Sequence, residues 1–301
     1  MLGSTSERLV ELVDVTASDG LRLDGALHLP PVDSPPQLPI DAALVLHGTG
    51  SNFYGSRFLA AIAERIVGRG AAALVVNTRG HDQIGSALVR NADGTTGSRT
   101  IGSAYEFVDE CRLDVAAWLA CLADRGAQRI AIIGHSLGAV KTIYAATYEV
   151  PANGVALIAI SPPRLSYSHF AASVRGPGFL EEVATAEAHV AAGRPQELMS
   201  IRFPLPYVIT AESYLDKYGP TERYNLLKLV DRLPLPTLFT FGSQEIQQGI
   251  AFREFPDELA KARDAGVNLK TAVIAGGDHH YTGVQGALLD TIERWVRHLS
   301  N

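Results

Sequence analysis

The stretch that most constrains this chain is Ile130-Ala131-Ile132-Ile133-Gly134-His135-Ser136-Leu137-Gly138, which runs directly into Ala139-Val140-Lys141-Thr142-Ile143-Tyr144-Ala145. The apolar run reads as a strand buried on both faces and the following residues as a helix, so Ser136 falls on the tight turn between them. A serine on such a turn has a strained backbone and a hydroxyl raised above the sheet. Neighbouring segments pass so close that Gly134 and Gly138 must carry no side chain. The N–H of Leu137 lies in the first turn of the helix, where amides are unpaired and the dipole favours developing negative charge. A G-x-S-x-G pattern with a strand before it and a helix after it is the setting of an activated serine nucleophile.

Strand and helix signals alternate on both sides of this turn. Residues 9–16 and 21–29 flank Asp19-Gly20 and read as an antiparallel hairpin at one sheet edge. After a proline-rich surface connection over 30–39, residues 42–46 form a short apolar strand. Phe58, Leu59, Ile62, Ile66 and Val67 then recur at helical spacing before Gly70. A strand over 71–77, a long polar loop from Arg79 through Gly102 and a helix over 104–124 lead to the serine turn. Beyond it come a strand over 154–160 closed by Ser161-Pro162-Pro163, a strand from Pro236 to Gly242, a helix over 256–265 and a strand over 269–275. Leu288, Leu289, Ile292, Trp295, Val296 and Leu299 mark a last helix. This order predicts an α/β fold: a mostly parallel central sheet with an antiparallel N-terminal edge and helices on both faces.

The alternation breaks between residues 164 and 233. That segment is rich in aromatics and prolines, holds one clear helical signal over 180–192, and is too long for a loop. It reads as a helical lid or cap insertion, dividing the core into residues 1–163 and 234–301.

Composition narrows the function classes. With 47% hydrophobic and 19% charged residues the chain can bury a large core. A net charge of −6 and the lack of any basic run argue against a nucleic-acid partner. Residues 1–8 lack a basic patch followed by an apolar stretch, and no apolar run nears the roughly 20 residues of a membrane span, so a cytoplasmic location without a membrane partner is expected. Cys111 and Cys121 fall on one predicted helix about 15 Å apart, beyond disulfide reach. No metal spacing, GxGxxG or P-loop pattern is present, so no metal and no cofactor is expected.

The serine turn and the order of elements resemble the α/β-hydrolase family, of serine esterase type, over nearly the whole chain. In that family nucleophile, acid and histidine follow in this order. The resemblance implies that Glu245, in the stretch Pro236 to Gly242-Ser243-Gln244-Glu245, is the acid, in a place where aspartate is commoner. It implies His279, in Gly276-Gly277-Asp278-His279, as the base for Ser136. His47-Gly48-Thr49-Gly50 is similar to the family's His-Gly-x element, which implies the Thr49 N–H as the oxyanion donor beside Leu137, with His47 structural. Asp82, Asp114 and Asp278 are the rival carboxylates. His135 is expected to pack against the sheet, His280 to be a bystander, and Lys141 to be a polar-buried or surface residue of its helix.

The reaction so implied is hydrolysis of a carboxylic ester or lactone of a small to medium-sized molecule through an acyl-enzyme, with a homodimer left open. An acyltransferase or C–C bond hydrolase using the same triad is the alternative enzyme, and a non-catalytic ligand-binding protein on the same fold is the other. Residues 209–220 and Ser161-Pro162-Pro163 resemble a hydrolase subgroup that includes fungal siderophore esterases. Tyr54, Tyr207 and Tyr214 are the candidates to line the substrate pocket.

Overall fold

A computed structural model describes residues 10–299. Strands β1 (Val10–Thr16) and β2 (Arg22–His28) form the expected antiparallel hairpin, with Val10 opposite His28 and Thr16 opposite Arg22. Leu9, the first residue of the predicted strand, lies outside the described residues. Next come β3 (Ala42–Leu46), α1 (Arg57–Val67) and β4 (Ala72–Val76). Ser56 caps α1 by accepting the Leu59 N–H at 3.3 Å.

The polar loop expected from Arg79 to Gly102 is instead largely an antiparallel hairpin, β5 (Gly85–Arg90) and β6 (Thr96–Ile101). One of its faces is half-buried, with Ala87 and Val89 against the core, but the facing positions on β6 are Gly97 and Arg99, so the strands lack a clear apolar alternation. Asp93-Gly94 at the tip, with Gly94 at φ 83°, was the available signal. The helix expected over 104–124 starts later, as α2 (Cys111–Asp124), because residues 108–110 make a single tighter turn first.

The serine turn joins β7 (Ile130–His135) to α3 (Leu137–Tyr148), and β8 (Gly154–Ile160) follows. Residues 164–233 contain α4 (Tyr167–Ala171), α5 (Gly176–Ala191), the hairpin β9 (Leu198–Ile201) and β10 (Tyr207–Thr210), and α6 (Ala211–Tyr218). The insertion is therefore mostly helical but carries a two-stranded hairpin that its sequence did not announce. The chain ends in β11 (Thr237–Gly242), α7 (Ser243–Gln248), α8 (Phe255–Asp264), β12 (Leu269–Ile274) and α9 (Gln285–Arg297).

Eight strands make one sheet in the order β1-β2-β4-β3-β7-β8-β11-β12, antiparallel at β1, β2 and the β2–β4 pairing and parallel from β4 onward. Alternation along each strand divides its side chains between two cores. Ile130 and Ile132 of β7 join α2, α3 and α8 on one face, while Ala131 and Ile133 join α1 and α9 on the other. The first core continues without a break into residues 164–233 through Phe170, Phe179, Phe203 and Tyr224. That segment bonds to loops at the carboxyl ends of the strands: Thr210 N–H donates to the Ala104 carbonyl at 2.9 Å and Arg164 N–H to that of Ala251 at 2.8 Å. Both cysteines are buried, free and on α2. Among the described residues no helix is long and apolar enough to cross a membrane.

Candidate active site

The serine turn has the strain its sequence implies. Ser136 sits at φ 56°, ψ −124°, in the positive-φ region that L residues seldom occupy. It is locked there from both sides: its N–H donates to the Ile160 carbonyl at 2.9 Å, and its carbonyl accepts from Ala139 at 3.0 Å and Val140 at 3.3 Å. A side chain at Gly134 would meet the Gly138 carbonyl at 2.1 Å, and one at Gly138 would meet the Leu46 and His47 carbonyls at 2.5 Å. No L side chain fits at either place, which explains the two flanking glycines in steric terms.

Glu245 comes from the helix after β11 and His279 from the loop after β12. Glu245 lies at the start of α7, 5% exposed, and its Oε1 accepts from the Gly242 N–H at 2.7 Å and from the Ser161 hydroxyl at 2.6 Å. Its Oε2 accepts a hydrogen bond from His279 Nδ1 at 2.9 Å. In a neutral ring that bond selects the tautomer with its proton on Nδ1. His279 is also held through its backbone: the His135 ring donates from Nε2 to the His279 carbonyl at 2.8 Å, with the two ring centroids 4.8 Å apart. The residue before Ser136 thus grips the loop that carries the imidazole. Among the described residues neither the Ser136 hydroxyl nor His279 Nε2 has a hydrogen-bond partner, so the serine–histidine bond is not made in this conformation. Such bonds commonly tighten only when substrate is in place.

Three residues contribute in ways that the sequence does not signal. His135 is buried, and burial together with its His279 and His280 neighbours holds its pKa well below the usual histidine value, so it is a neutral brace. It packs against Phe58 as well as against the sheet. Ser161, at φ 49°, and the buried Tyr281 form a hydroxyl chain behind Glu245, with Ser161 Oγ and Tyr281 Oη 2.8 Å apart and Thr240 Oγ1 beyond at 3.2 Å. The positive φ of Ser161 turns its hydroxyl toward the carboxylate, a feature no pattern in the string of residues signals.

On its other side Ser136 faces the loop after β3. A side chain at Gly48 would meet Ser136 Cβ at 2.8 Å, so only glycine lets this loop lie on the serine. Among the described residues the N–H groups of Thr49 and Leu137 donate to no protein acceptor, which leaves both for a ligand oxygen. His47 is fully buried, accepts the Thr78 N–H at Nε2 (3.0 Å) and donates from Nδ1 to the Gly48 carbonyl at 2.7 Å. Burial, reinforced by nearby Lys141, pushes its pKa down to about 3, so the ring is neutral.

The rival carboxylates are engaged elsewhere. Asp114 is buried and binds the Arg79 guanidinium at 2.7 and 3.0 Å. Asp82 accepts from Tyr54, Asn52 and His81 at 2.5, 2.7 and 2.8 Å. Asp278 braces its own loop by accepting the N–H groups of His280 and Thr282, both at 2.9 Å. His280 is exposed, and Lys141 is fully buried.

Of the three tyrosines, Tyr54 is exposed at 64% beside the oxyanion loop. Tyr207 is half-buried, its hydroxyl 3.1 Å from that of Tyr218. Tyr214 does not line a pocket. It is completely buried in the apolar core, with its hydroxyl turned to Glu182 at 3.4 Å. Its place on α6, read from sequence, said nothing of which face it occupies. Among the described residues no cluster of histidine, cysteine or carboxylate side chains could hold a metal ion.

An eight-stranded sheet, a strained serine between β7 and α3, and a carboxylate bonded to a histidine beyond the carboxyl ends of β11 and β12 are features of the α/β-hydrolase class. The chain matches the alpha/beta hydrolase family over residues 43–299 and belongs to it. Among solved structures it is similar to Est1E from Butyrivibrio proteoclasticus, in a form with ferulic acid bound (17% identity, 95% of this chain and 98% of that one, TM-score 0.66). It is similar to the hydrolase GrgF from Penicillium sp. sh18 (16% identity, 97% and 99% covered, TM-score 0.65). The Pyrococcus furiosus esterase Pf2001 is a third such structure (16% identity, 100% and 97% covered, TM-score 0.64). At these identities the likeness is one of fold. Curated protein sequences give no match.

Proposed function

We propose that this chain is a serine hydrolase that cleaves a carboxylic ester or lactone of a small to medium-sized molecule. The reading is carried by the 2.9 Å bond from His279 to Glu245, on a loop gripped by the residue next to a strained Ser136. His279 Nε2 takes the hydroxyl proton as Ser136 attacks the carbonyl, and the Thr49 and Leu137 N–H groups receive the oxyanion. His279 then protonates the leaving alcohol, and water attacks the acyl-enzyme with the same histidine as base. Three side chains and two amides suffice for these steps, so the chemistry calls for no metal or cofactor. The ferulic acid bound by Est1E is a carboxylic acid of the size such a reaction would release, which supports the choice of substrate class.

We assign residues 164–233 the role of a cap, since they bond to the loops at the carboxyl ends of the strands, where Ser136 lies. Turnover of p-nitrophenyl acetate and labelling by a fluorophosphonate test the proposal. Wild type should do both, and Ser136→Ala should lose labelling and about 10⁴-fold or more of turnover. A wild type that neither turns over nor labels would leave only a ligand-binding role.

A further inference from the structure

Behind the oxyanion loop lies a set of charged side chains that the proposed reaction does not use. Lys141 on α3 and Glu106 before α2 form an ion pair with both side chains fully buried. On the cap, Lys217 of α6 approaches the other oxygen of Glu106 at 3.5 Å, also without exposure. Buried ion pairs are costly to desolvate, and a helix carrying the nucleophile could be packed more cheaply by an apolar residue at position 141. The hydrogen bonds that leave Lys141 say what it touches. Its Nζ donates to the Thr78 hydroxyl at 2.7 Å, and that oxygen lies 3.1 Å from His47 Nε2.

An ammonium can only donate, so it occupies a lone pair of the Thr78 oxygen and turns the hydroxyl proton toward His47. Nε2 then receives two donors, the Thr78 hydroxyl and the Thr78 N–H at 3.0 Å. His47 must carry its proton on Nδ1, which donates to the Gly48 carbonyl at 2.7 Å. Gly48 C=O and Thr49 N–H belong to one peptide unit, which is planar and trans, so they point in opposite directions. Fixing the carbonyl fixes the N–H. Each donor in the series polarises the next, so the Thr49 amide becomes a stronger donor as well as a better aimed one.

We propose that Lys141 is a positioning residue for the oxyanion hole, acting through Thr78 and His47 on the Gly48–Thr49 peptide, with Glu106 extending the same chain to Lys217 of the cap. This rests on the serine-hydrolase reading, because only a reaction that builds an oxyanion needs the amide held so tightly. The role predicts a loss in the chemical step with little change in substrate affinity.

The test uses the full chain with Lys141→Met, Thr78→Val and Thr78→Ser. Turnover of p-nitrophenyl acetate is expressed per site labelled to completion by fluorophosphonate, so that unfolded or misfolded molecules are not counted. Lys141→Met and Thr78→Val should lose about 10-fold to 100-fold in kcat, somewhat less than deletion of an oxyanion donor, with KM within about twofold. Thr78→Ser, which keeps the hydroxyl, should stay within about threefold of wild type. A structural role alone would lower Tm and the labelled fraction but leave kcat per labelled site unchanged. That result in Thr78→Val overturns the proposal, and this variant decides the matter if Lys141→Met does not fold. Should wild type itself neither label nor turn over, the hydrolase reading fails first and the positioning role falls with it.

Discussion

The two sides of Ser136 are built on opposite plans. On the histidine side the imidazole is about a third exposed at 32%, held by one carboxylate bond at Nδ1 and one backbone bond from His135. On the side of the proposed oxyanion hole the side chains behind the loop are buried: His47, Thr78, Lys141 and Glu106 are each at most 2% exposed. The contrast follows from what each side must do in the proposed reaction. A base has to accept a proton, return it and admit water, and so needs room. A donor peptide gains from not moving, because electrostatic stabilisation works best when the dipoles need no reorganisation. Rigidity on one side and access on the other is what the fold supplies.

The largest effect expected from breaking the contrast is on the histidine side. Glu245→Gln keeps the side chain's size and can still accept from Gly242 and Ser161, but it removes the charge facing Nδ1 and allows the wrong tautomer. A loss on the order of 10⁴-fold in kcat is expected, as in other triads whose acid is made an amide. Thermal unfolding followed alongside should show that the variant is still folded. A loss below about tenfold would mean that another carboxylate serves His279.

Next in size is the oxyanion side, where the penalty should fall on stability. Glu106→Gln leaves two buried ammonium groups without their counter-charge, and removing one partner of a buried pair typically costs about 3–5 kcal/mol. A pH scan sharpens the point. Burial alone would raise the pKa of Glu106, but Lys141 and Lys217 outweigh it and hold the carboxyl down to about 2, against an ordinary 4.5. A carboxyl depressed in the folded state binds its proton more readily when unfolded. Its stabilisation is therefore complete above about pH 4.5 and is lost as pH falls toward 2. The difference in denaturant stability between wild type and Glu106→Gln should be constant near neutrality and shrink across that window. A difference that does not depend on pH would mean that folding leaves the Glu106 pKa unchanged, and one that shrinks as pH rises would mean that Glu106 is neutral in the folded chain.

The two sides also differ in how readable they were. Glu245 and His279 were reached through the likeness of their stretches to the α/β-hydrolase family, while the serine turn follows from a local pattern, since Gly134 and Gly138 are demanded by contacts of 2.1 and 2.5 Å. The parallel sheet was legible for the same reason, since β3, β4, β7 and β8 are continuous apolar runs. What could not be read is whatever depends on which way a polar residue faces. Glu106, Lys141 and Lys217 come from three distant places in the chain, and a charged residue is normally solvated, so nothing local marks them as buried. The β5–β6 hairpin was missed because its half-buried face mixes Ala87 and Val89 with Gly85, Gly97 and Arg99, which leaves little apolar pattern to read. Tyr214 was misjudged because a pocket-lining tyrosine and a core tyrosine are the same letter.

A smaller effect is expected where the histidine loop meets the serine turn. His135→Phe preserves an aromatic ring against Phe58 but deletes the bond to the His279 carbonyl. One neutral hydrogen bond is worth roughly 0.5–1.5 kcal/mol, so turnover should fall about tenfold at most, by raising the share of molecules whose imidazole is misplaced. Soaking for a tighter ligand should reveal the same thing: a transition-state mimic, which draws His279 into position, should narrow the gap between wild type and variant. A kcat equal to that of wild type would show that the Glu245 bond alone positions the ring.

The smallest effect is reserved for the outer end of the oxyanion loop, and it separates a held peptide from a merely adjacent one. Tyr54 donates to Asp82 at 2.5 Å, and that bond, with burial and the Asp82 charge behind it, pushes the phenol up to about 12. Yet Tyr54 is 64% exposed, and Asp82 keeps Asn52 and His81 as partners when the phenol is gone. Exposed charge-assisted contacts contribute about 1 kcal/mol or less. Tyr54→Phe should therefore leave kcat within about twofold and change KM by no more than a few-fold, in the direction of weaker binding if the hydroxyl meets substrate. Loss of the high-pH phenol titration, followed by ultraviolet absorbance, would confirm that the right group was removed. If kcat fell instead by tenfold or more, the Thr49 amide would depend on the solvent-facing end of its loop, and the division between a rigid buried side and an accessible one would have to be redrawn.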